Sequence, residues 1–154
     1  MKEVYGDLWT YPVPADKTKV ICITTNGTIR RDGCAVMGRG CAQQAARRYP
    51  WLPADLGSRV HRNGNHVFRI SDFFGGSLLT FPVKHQWHQK ADLNLIHQSM
   101  IELMVAADAA QPETIFLLPR PGCGNGGLHW EDVKPLLEGL PDNIWVITRK
   151  ETDK

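Results

Sequence analysis

The feature that most constrains the fold is a pair of apolar strand patterns, each followed by a glycine run and then by a helix pattern. Residues 19–25 (KVICITT) and 114–118 (TIFLL) are rich in β-branched and apolar residues, which is typical of strands buried on both faces. Glycine runs follow at residues 26–40 and 119–128, and helix patterns begin at Gly40 and Trp130. The repeated order predicts an α/β layer fold with a mostly parallel sheet, in which ligands bind beyond the carboxyl ends of the strands.

The remaining patterns fit the same architecture. Residues 143–148 predict a third buried strand, and residues 65–70 and 77–83 predict a hairpin around Gly75-Gly76. Residues 3–6 carry a weaker strand pattern. The helix pattern that starts at Gly40 ends before Pro50, and a second helix is predicted over residues 92–110, with Asp92 as its cap. A third is predicted over residues 130–140.

Composition places the chain among ordinary globular proteins. Its 154 residues and 17.3 kDa predict one domain over residues 1–154, and 42% hydrophobic with 22% charged residues excludes disordered and fibrous classes. No apolar stretch is long enough to cross a membrane, and the first residues lack a secretory apolar core, so we expect a cytoplasmic protein. The four cysteines form no C-x-x-C pair and predict free thiols.

The charge distribution favours an anionic ligand. The net charge is only +2, but lysine and arginine exceed aspartate and glutamate in residues 1–100. Arg30, Arg31 and Arg39 share the first glycine run, which suits a nucleotide or nucleic acid. On charge alone, a solvated basic face explains the pattern more simply.

The two glycine runs suit a diphosphate. Glycine lets the backbone approach an anion closely, and a helix N-terminus adds unpaired N–H groups and partial positive charge. Gly122, Gly124 and Gly127 match G-x-G-x-x-G, but Arg149 and Lys150 follow the next strand where a dinucleotide fold carries an acidic residue. No G-K-[ST] follows either run. Dinucleotide dehydrogenases and P-loop NTPases are therefore excluded.

At these positions the sequence resembles macro domains, the ADP-ribose-binding α/β family. The likeness lies in Asn26, in residues 33–40 (GCAVMGRG) and in residues 122–130 (GCGNGGLHW). Residues 81–93 (FPVKHQWHQKADL) and 133–137 (VKPLL) resemble the DarG-type antitoxins, which remove ADP-ribose from thymidine in DNA. The resemblance implies a three-layer α/β/α fold with a central mixed sheet and an antitoxin-like ADP-ribosyl glycohydrolase that needs no cofactor.

The resemblance also implies an ADP-ribose site. Asp7 would accept a hydrogen bond from the adenine amino group, Asn26 would contact the distal ribose, and backbone amides of both glycine runs would hold the diphosphate. The implied ligand-binding residues are Asp7, Leu8, Asn26, Val36, Met37, Gly38, Arg39, Gly40, Pro119, Gly122, Cys123, Gly124, Asn125, Gly126, Gly127 and Leu128. From the residues alone, Asp7 and Asn26 are explained equally well as turn formers.

Lys84 is the implied catalytic residue, and two roles remain open for it. With a depressed pKa its amine is a nucleophile toward the anomeric carbon C1″; as an ammonium it stabilises the leaving base. Relatives that cleave protein carboxylate esters place an aspartate in the second run, where this sequence has Asn125-Gly126-Gly127. This departure favours the DNA-acting branch. Asp32 is the nearest candidate acid, although a turn explains it more simply.

Other side chains are candidates for contact with single-stranded DNA. Trp87 is a candidate for base stacking, and core packing explains it equally well. The full set is Arg30, Arg31, His85, Trp87 and His88. His85, His88 and Cys123 lack further ligands at metal-site spacing, so no metal is predicted. Cys34 and Cys123 lie near helix starts, which lowers thiol pKa values, but neither is assigned as a nucleophile.

Two other function classes remain open. One is a non-catalytic ADP-ribose reader or sequestering module, which binds without turnover. The other is a hydrolase or phosphatase of another derivative, such as protein-linked ADP-ribose or ADP-ribose 1″-phosphate. The sequence indicates no oligomeric state.

Overall fold

The computed structural model describes residues 1–71 and 76–149, and in that part of the chain six strands and four helices follow one another. The strands are β1 (Lys2–Tyr5), β2 (Thr18–Asn26), β3 (Arg69–Ser71), β4 (Ser77–Lys84), β5 (Thr114–Pro119) and β6 (Ile144–Thr148). The helices are α1 (Gly40–Arg48), α2 (Leu52–Asn63), α3 (Leu93–Ala109) and α4 (Trp130–Leu137). The strand order is β1-β6-β5-β2-β4-β3, and every pairing is parallel except β3 with β4. The predicted mixed, mostly parallel sheet is confirmed.

Helices cover both faces of this sheet. Along β2, Val20 and Cys22 pack into the core beneath α3 and α4, whereas Ile21 and Ile23 pack into the core beneath α1 and α2. Side chains of a strand alternate between its two faces, so an almost wholly apolar strand is buried on both. The molecule is therefore a three-layer α/β/α domain, as the sequence predicts.

Most predicted elements are confirmed, but the first hairpin strand is shorter than expected. Strand β3 begins at Arg69 instead of residue 65. The Val67 amide donates to the Glu102 carboxylate and the Phe68 amide to the Thr80 hydroxyl, so these two amides bond side chains instead of a neighbouring strand. Gly75, in the predicted turn, lies outside the described residues. The third predicted helix, α4, ends at Leu137, because Gly139 and Pro141 disfavour further helical turns.

Helix α2 is the element that the sequence patterns do not predict. Pro50, Pro53 and Gly57 look like helix breakers over residues 50–57. Pro53 lies in the first turn, where its missing N–H costs no helical hydrogen bond. Gly57 packs against residues 33–35 so closely that a Cβ would collide with the Gly33 carbonyl oxygen.

The topology brings the chemically informative segments to one edge. Strands β2 and β5 are neighbours at the centre of the sheet, and both glycine runs leave their carboxyl ends. Strand β4 lies on the other side of β2, and its last residue, Lys84, is in register with Asn26. Over residues 1–71 and 76–149, no helix combines the length and apolarity that crossing a membrane requires.

Candidate active site

A cleft opens where β2, β4 and β5 end. Its larger part, the main cavity, has a volume of about 630 Å³ and is lined by both glycine runs, by Lys84 and by Trp87. Its smaller part, the side cavity, has a volume of about 380 Å³ and lies beside Asp7 and Leu8. The two cavities share wall residues Gly40, Cys41, Pro119, Arg120 and Gly124. They therefore form one continuous cleft.

The first glycine loop, residues 27–39, is closed at its base by Asn26. The Asn26 side-chain amide donates to the Val36 carbonyl at 3.0 Å and accepts from the Thr28 amide at 2.9 Å. The Val36 amide donates to the Thr28 carbonyl at 3.0 Å. Asn26 thus makes the Asx turn that the residues alone suggest, and it also lines the main cavity.

The second glycine loop, residues 120–129, folds back on itself. The Leu128 amide donates to the Gly122 carbonyl at 2.9 Å, and the Gly127 amide to the Gly124 carbonyl at 3.2 Å. Gly122 and Gly127 have φ values of 74° and 75°, which residues with a Cβ rarely adopt. These two glycines are needed for the turn itself.

Several backbone amides in the two loops and at the first residue of α1 are available to a ligand. Among those that donate no hydrogen bond within the described residues are the amides of Gly38, Arg39, Gly40, Gly124 and Asn125. We call these five the amide clamp. It includes the start of α1, where unpaired N–H groups and the helix dipole create positive potential. The clamp has the chemistry of an anion site.

Gly38 and Gly124 lack an intramolecular reason to be glycine. A Cβ built at either position meets no atom within 4 Å, and neither residue has a positive φ. Both line the main cavity. The open space beside them is therefore part of the cleft, where a bound molecule has access to the backbone.

Lys84 brings a cationic side chain into the same cleft. Its Nζ donates to the Trp87 carbonyl at 3.3 Å. Burial lowers the pKa of Lys84 below the usual lysine value, and the nearby positive charge of Arg39 lowers it further. The amine form of Lys84 is therefore more accessible than that of an ordinary surface lysine.

Asp7 and Asp32 both form turns. One oxygen of Asp7 accepts from the Trp9 amide at 2.8 Å and from the Thr10 amide at 3.2 Å, at the wall of the side cavity. Asp32 accepts from the Cys34 amide at 3.0 Å, and this bond holds its pKa below the usual range. Since Asp32 does not line the main cavity, it is poorly placed to act as an acid there.

Similarity to known proteins agrees with this geometry. No family model matches the chain. A DNA ADP-ribosyl glycohydrolase of Mycobacterium tuberculosis is 31% identical over 117 residues, which cover 70% of this chain and 33% of that relative. The solved macrodomain of Mycobacterium tuberculosis DarG matches with a TM-score of 0.76 at 28% identity, over 97% of each chain. This chain is a macro domain.

A third similarity supports the fold of this macro domain. Thermosipho africanus DarTG, solved in complex with ADP-ribose, matches with a TM-score of 0.72 at 17% identity, over 94% of this chain and 40% of that one. The chain spans about a third of the length of its Mycobacterium tuberculosis curated relative.

Most of the residues expected to bind the ligand line the cleft of the macro domain. The main cavity is lined by Asn26, Val36, Met37, Gly38, Arg39, Gly40, Pro119, Gly122, Gly124, Asn125 and Gly126. The side cavity is lined by Asp7, Leu8 and Cys123, together with Gly40, Pro119 and Gly124. Gly127 and Leu128 line neither, and Leu128 packs against the core instead. Of the residues predicted to contact DNA, Arg30 and Trp87 line the main cavity, whereas Arg31, His85 and His88 do not.

Several residues of the cleft escape sequence reasoning. They are Thr24, Thr25, Thr28, Cys41, Ala42, Val83 and Arg120 in the main cavity. Arg120 has a side-chain exposure of only 7%, lies 3.7 Å from the Glu3 carboxylate and stacks on Trp130. It lies between Pro119 and Pro121 in the second run, but no local pattern predicts its burial against Glu3.

The expectation about Cys123 is wrong. Burial raises the pKa of its thiol to about 11, which outweighs any effect of a nearby helix start. Among residues 1–71 and 76–149, no three histidine, cysteine or acidic side chains are grouped as metal ligands.

Proposed function

We propose that this macro domain binds ADP-ribose in the cleft and hydrolyses the N-glycosidic bond between ADP-ribose and a thymine base of DNA. The diphosphate lies on the amide clamp, adenosine lies in the side cavity beside Asp7, and the distal ribose lies beside Asn26 and Lys84. The observation that carries the proposal is the convergence of five unused amides and the Lys84 side chain on one cleft. The ADP-ribose bound to the Thermosipho africanus protein and the activity named for the Mycobacterium tuberculosis relative support it.

In this proposal the free amine of Lys84 attacks C1″. The bond from C1″ to the base nitrogen breaks, and the base leaves with the electron pair and takes a proton from the lysine nitrogen. Water then adds to C1″ and gives a proton to Nζ as the bond from C1″ to Nζ breaks, so that ADP-ribose and the free amine are released. The lowered pKa of Lys84 supports this role, because a nucleophilic lysine must be unprotonated.

The residues around the distal ribose favour a base over a protein carboxylate as leaving group. Among the described residues that line the main cavity, none is an aspartate or glutamate. The second glycine loop has Asn125, Gly126 and Gly127 where relatives acting on protein esters carry an aspartate. The part of the main cavity that the structure describes therefore holds no aspartate that could pair with Lys84.

The experiment that tests the proposal follows release of ADP-ribose from an ADP-ribosylated oligonucleotide. We expect Lys84→Ala to lower kcat by about 10²-fold or more, in the range of losing a principal catalytic group. Lys90→Ala is the matched control, because Lys90 is exposed and lines neither cavity. Equal rates for wild type and Lys84→Ala would contradict the role of Lys84.

Assays of binding and of other ADP-ribose derivatives, run beside this experiment, separate the alternatives. Tight binding of ADP-ribose without turnover of the oligonucleotide would indicate a reader. Release of phosphate from ADP-ribose 1″-phosphate, or turnover of a protein conjugate alone, would indicate a different hydrolase.

A further inference from the structure

Trp87 is the feature of the cleft that binding of ADP-ribose itself does not explain. Half of its surface, 50%, is exposed, and no other tryptophan is among the exposed large apolar side chains of the described residues. Trp87 lines the main cavity together with Lys84, whose Nζ bonds the Trp87 carbonyl. A half-exposed indole on a residue that lines the cleft, close to the proposed reacting carbon, is suited to contact the group attached to that carbon.

The backbone of Trp87 is fixed from both sides. Its amide donates to the Thr28 hydroxyl at 2.9 Å, and its carbonyl accepts from Lys84 Nζ at 3.3 Å. The Thr28 hydroxyl donates in turn to the Gln86 side chain at 2.7 Å. The backbone of this one residue therefore links the first glycine loop to Lys84. A ligand that meets this ring pays little for ordering it.

The indole ring also contacts a neighbouring ring. The imidazole of His88 lies at 5.5 Å from the indole, with an angle of 76° between the planes, which is an edge-to-face contact. The carboxylates nearby are engaged: Asp92 bonds His85 at 2.7 Å, and Asp32 lies 3.8 Å from Arg30. Arg30 and Arg39 line the same cavity as Trp87. The rim therefore combines a flat aromatic surface with positive charge, as in sites for single-stranded nucleic acid.

We infer that Trp87 is a specificity-determining residue that stacks on the pyrimidine base carried by C1″ and so selects nucleic-acid conjugates. The inference rests on the proposed function, since it places the distal ribose beside Lys84. A planar base offers a face to the indole, whereas an aliphatic amino-acid linkage does not. The positive charges of Arg30 and Arg39 suit the phosphates that flank the base.

The test uses a thymidine-linked ADP-ribose in a short single-stranded oligonucleotide, and the proteins are wild type, Trp87→Phe and Trp87→Ala. We expect Trp87→Ala to lower kcat/KM by about 10- to 100-fold, the usual effect of removing one stacking aromatic side chain. We expect Trp87→Phe to retain most of the activity, because phenylalanine keeps a flat ring at this position. The affinity for free ADP-ribose, measured by calorimetry, stays within about twofold for all three proteins, since the base is absent from that ligand.

A binding arm keeps this inference separate from the hydrolytic activity. The affinity of the Lys84→Ala protein for the intact conjugate is measured with and without Trp87→Ala. We expect Trp87→Ala to lower this affinity by about the same 10- to 100-fold, a range that follows from the usual contribution of one stacked ring. If wild type does not turn over the conjugate but Trp87→Ala still weakens its binding, the proposed hydrolase activity is wrong and the stacking role of Trp87 is retained.

Three results would overturn the role of Trp87. The first is an unchanged kcat/KM and conjugate affinity in Trp87→Ala. The second is an equal loss of affinity for free ADP-ribose, which would mean that the ring packs against the ribose or the protein. The third is an equal loss of turnover on an ADP-ribosylated glutamate peptide, which would mean that the ring does not select a base. If neither ADP-ribose nor the conjugate binds wild type, the proposed function and this inference both fail.

Discussion

The two glycine loops meet in the same cleft, yet they are held in place by different means. The second glycine loop is closed mainly by bonds between its own residues, such as that from the Leu128 amide to the Gly122 carbonyl. The first glycine loop depends on distant segments as well. Its Gly27 amide donates to the His85 carbonyl at 3.1 Å, and its Ala35 amide donates to the Pro53 carbonyl of α2 at 2.8 Å.

This difference determines which substitutions can reshape each half of the amide clamp. A loop closed by local bonds responds mainly to changes within it. A loop supported by α2 and by the segment after β4 responds to substitutions far away in sequence. The binding surface therefore contains one half that is held mainly by bonds within its own loop and one half that also depends on α2 and on the segment after β4.

The largest effect is expected from Gly57→Ala in α2. A Cβ at this position collides with the Gly33 carbonyl oxygen and approaches the Ala35 amide nitrogen to 2.9 Å, so α2 and the first glycine loop must separate. We expect the free energy of unfolding to fall by about 3 kcal/mol, at the upper end of overpacking effects. Chemical denaturation measures this change.

The control for this prediction is Gly139→Ala, whose added Cβ meets no atom within 4 Å. We expect it to change stability little. A gain of about 0.5–1 kcal/mol in Gly57→Ala, as for a glycine in an unobstructed helix, would show that the first loop does not depend on α2.

A smaller effect, on affinity, is expected from Gly38→Ala and Gly124→Ala, one in each half of the clamp. Each added methyl group stands in open space of the cleft, so folding should be unaffected while the diphosphate is kept from the amides. We expect each variant to bind ADP-ribose about tenfold more weakly, a loss of about 1.4 kcal/mol. Calorimetric titration and thermal melting measure the two quantities separately.

The double variant sharpens the comparison between the loops. If the loops hold the diphosphate independently, the two losses multiply to about a hundredfold. Unchanged affinity in both single variants would contradict a contact between the ligand and these backbones.

The same contrast explains how far the sequence predicts the structure. The second glycine loop is foreseeable, because its turns need glycines at fixed positions and its bonds span few residues. The strand patterns of β2, β4, β5 and β6 are equally local, and they are confirmed. Helix α2 was missed because Pro53 and Gly57 weigh against a helix by propensity, whereas packing against the first glycine loop outweighs propensity in the fold.

The cleft was predicted in the same uneven way. Residues of the two runs could be named from the sequence because glycine in such a setting has few explanations. Thr28 and Arg120 could not, since a threonine hydroxyl that holds a distant peptide, or an arginine buried against Glu3, leaves no local pattern. Their roles follow from contacts between segments far apart in the chain.

The smallest effect, on stability, is expected from Asp92→Asn, in the segment that contacts both glycine loops. The His85 carbonyl holds the first loop, the Ala91 amide donates to the Gly126 carbonyl of the second, and the His85 and Asp92 side chains bond at 2.7 Å between them. This bond holds the pKa of Asp92 below its usual range. Its contribution to stability is therefore present above pH about 4, and it is lost as pH falls through the lowered pKa.

The measurement is thermal melting of wild type and Asp92→Asn between pH 7 and pH 3. Asparagine can still cap α3, so we expect wild type to be more stable at pH 7 by less than about 1 kcal/mol, since the pair is solvent-exposed. The difference should shrink below pH about 4. A difference that does not change with pH would mean that the charge of Asp92 contributes nothing.

The most direct test of the central claim is a titration of the nitrogen-15-labelled domain with ADP-ribose, followed by the backbone amide resonances. We expect saturable shifts that are largest at Gly38, Arg39 and Gly40 in one half of the clamp and at Gly124 and Asn125 in the other. Ribose 5-phosphate, which lacks the diphosphate, should not move both sets. Absence of shifts at millimolar ADP-ribose, or shifts confined to one loop, would contradict a diphosphate held between two sets of backbone amides.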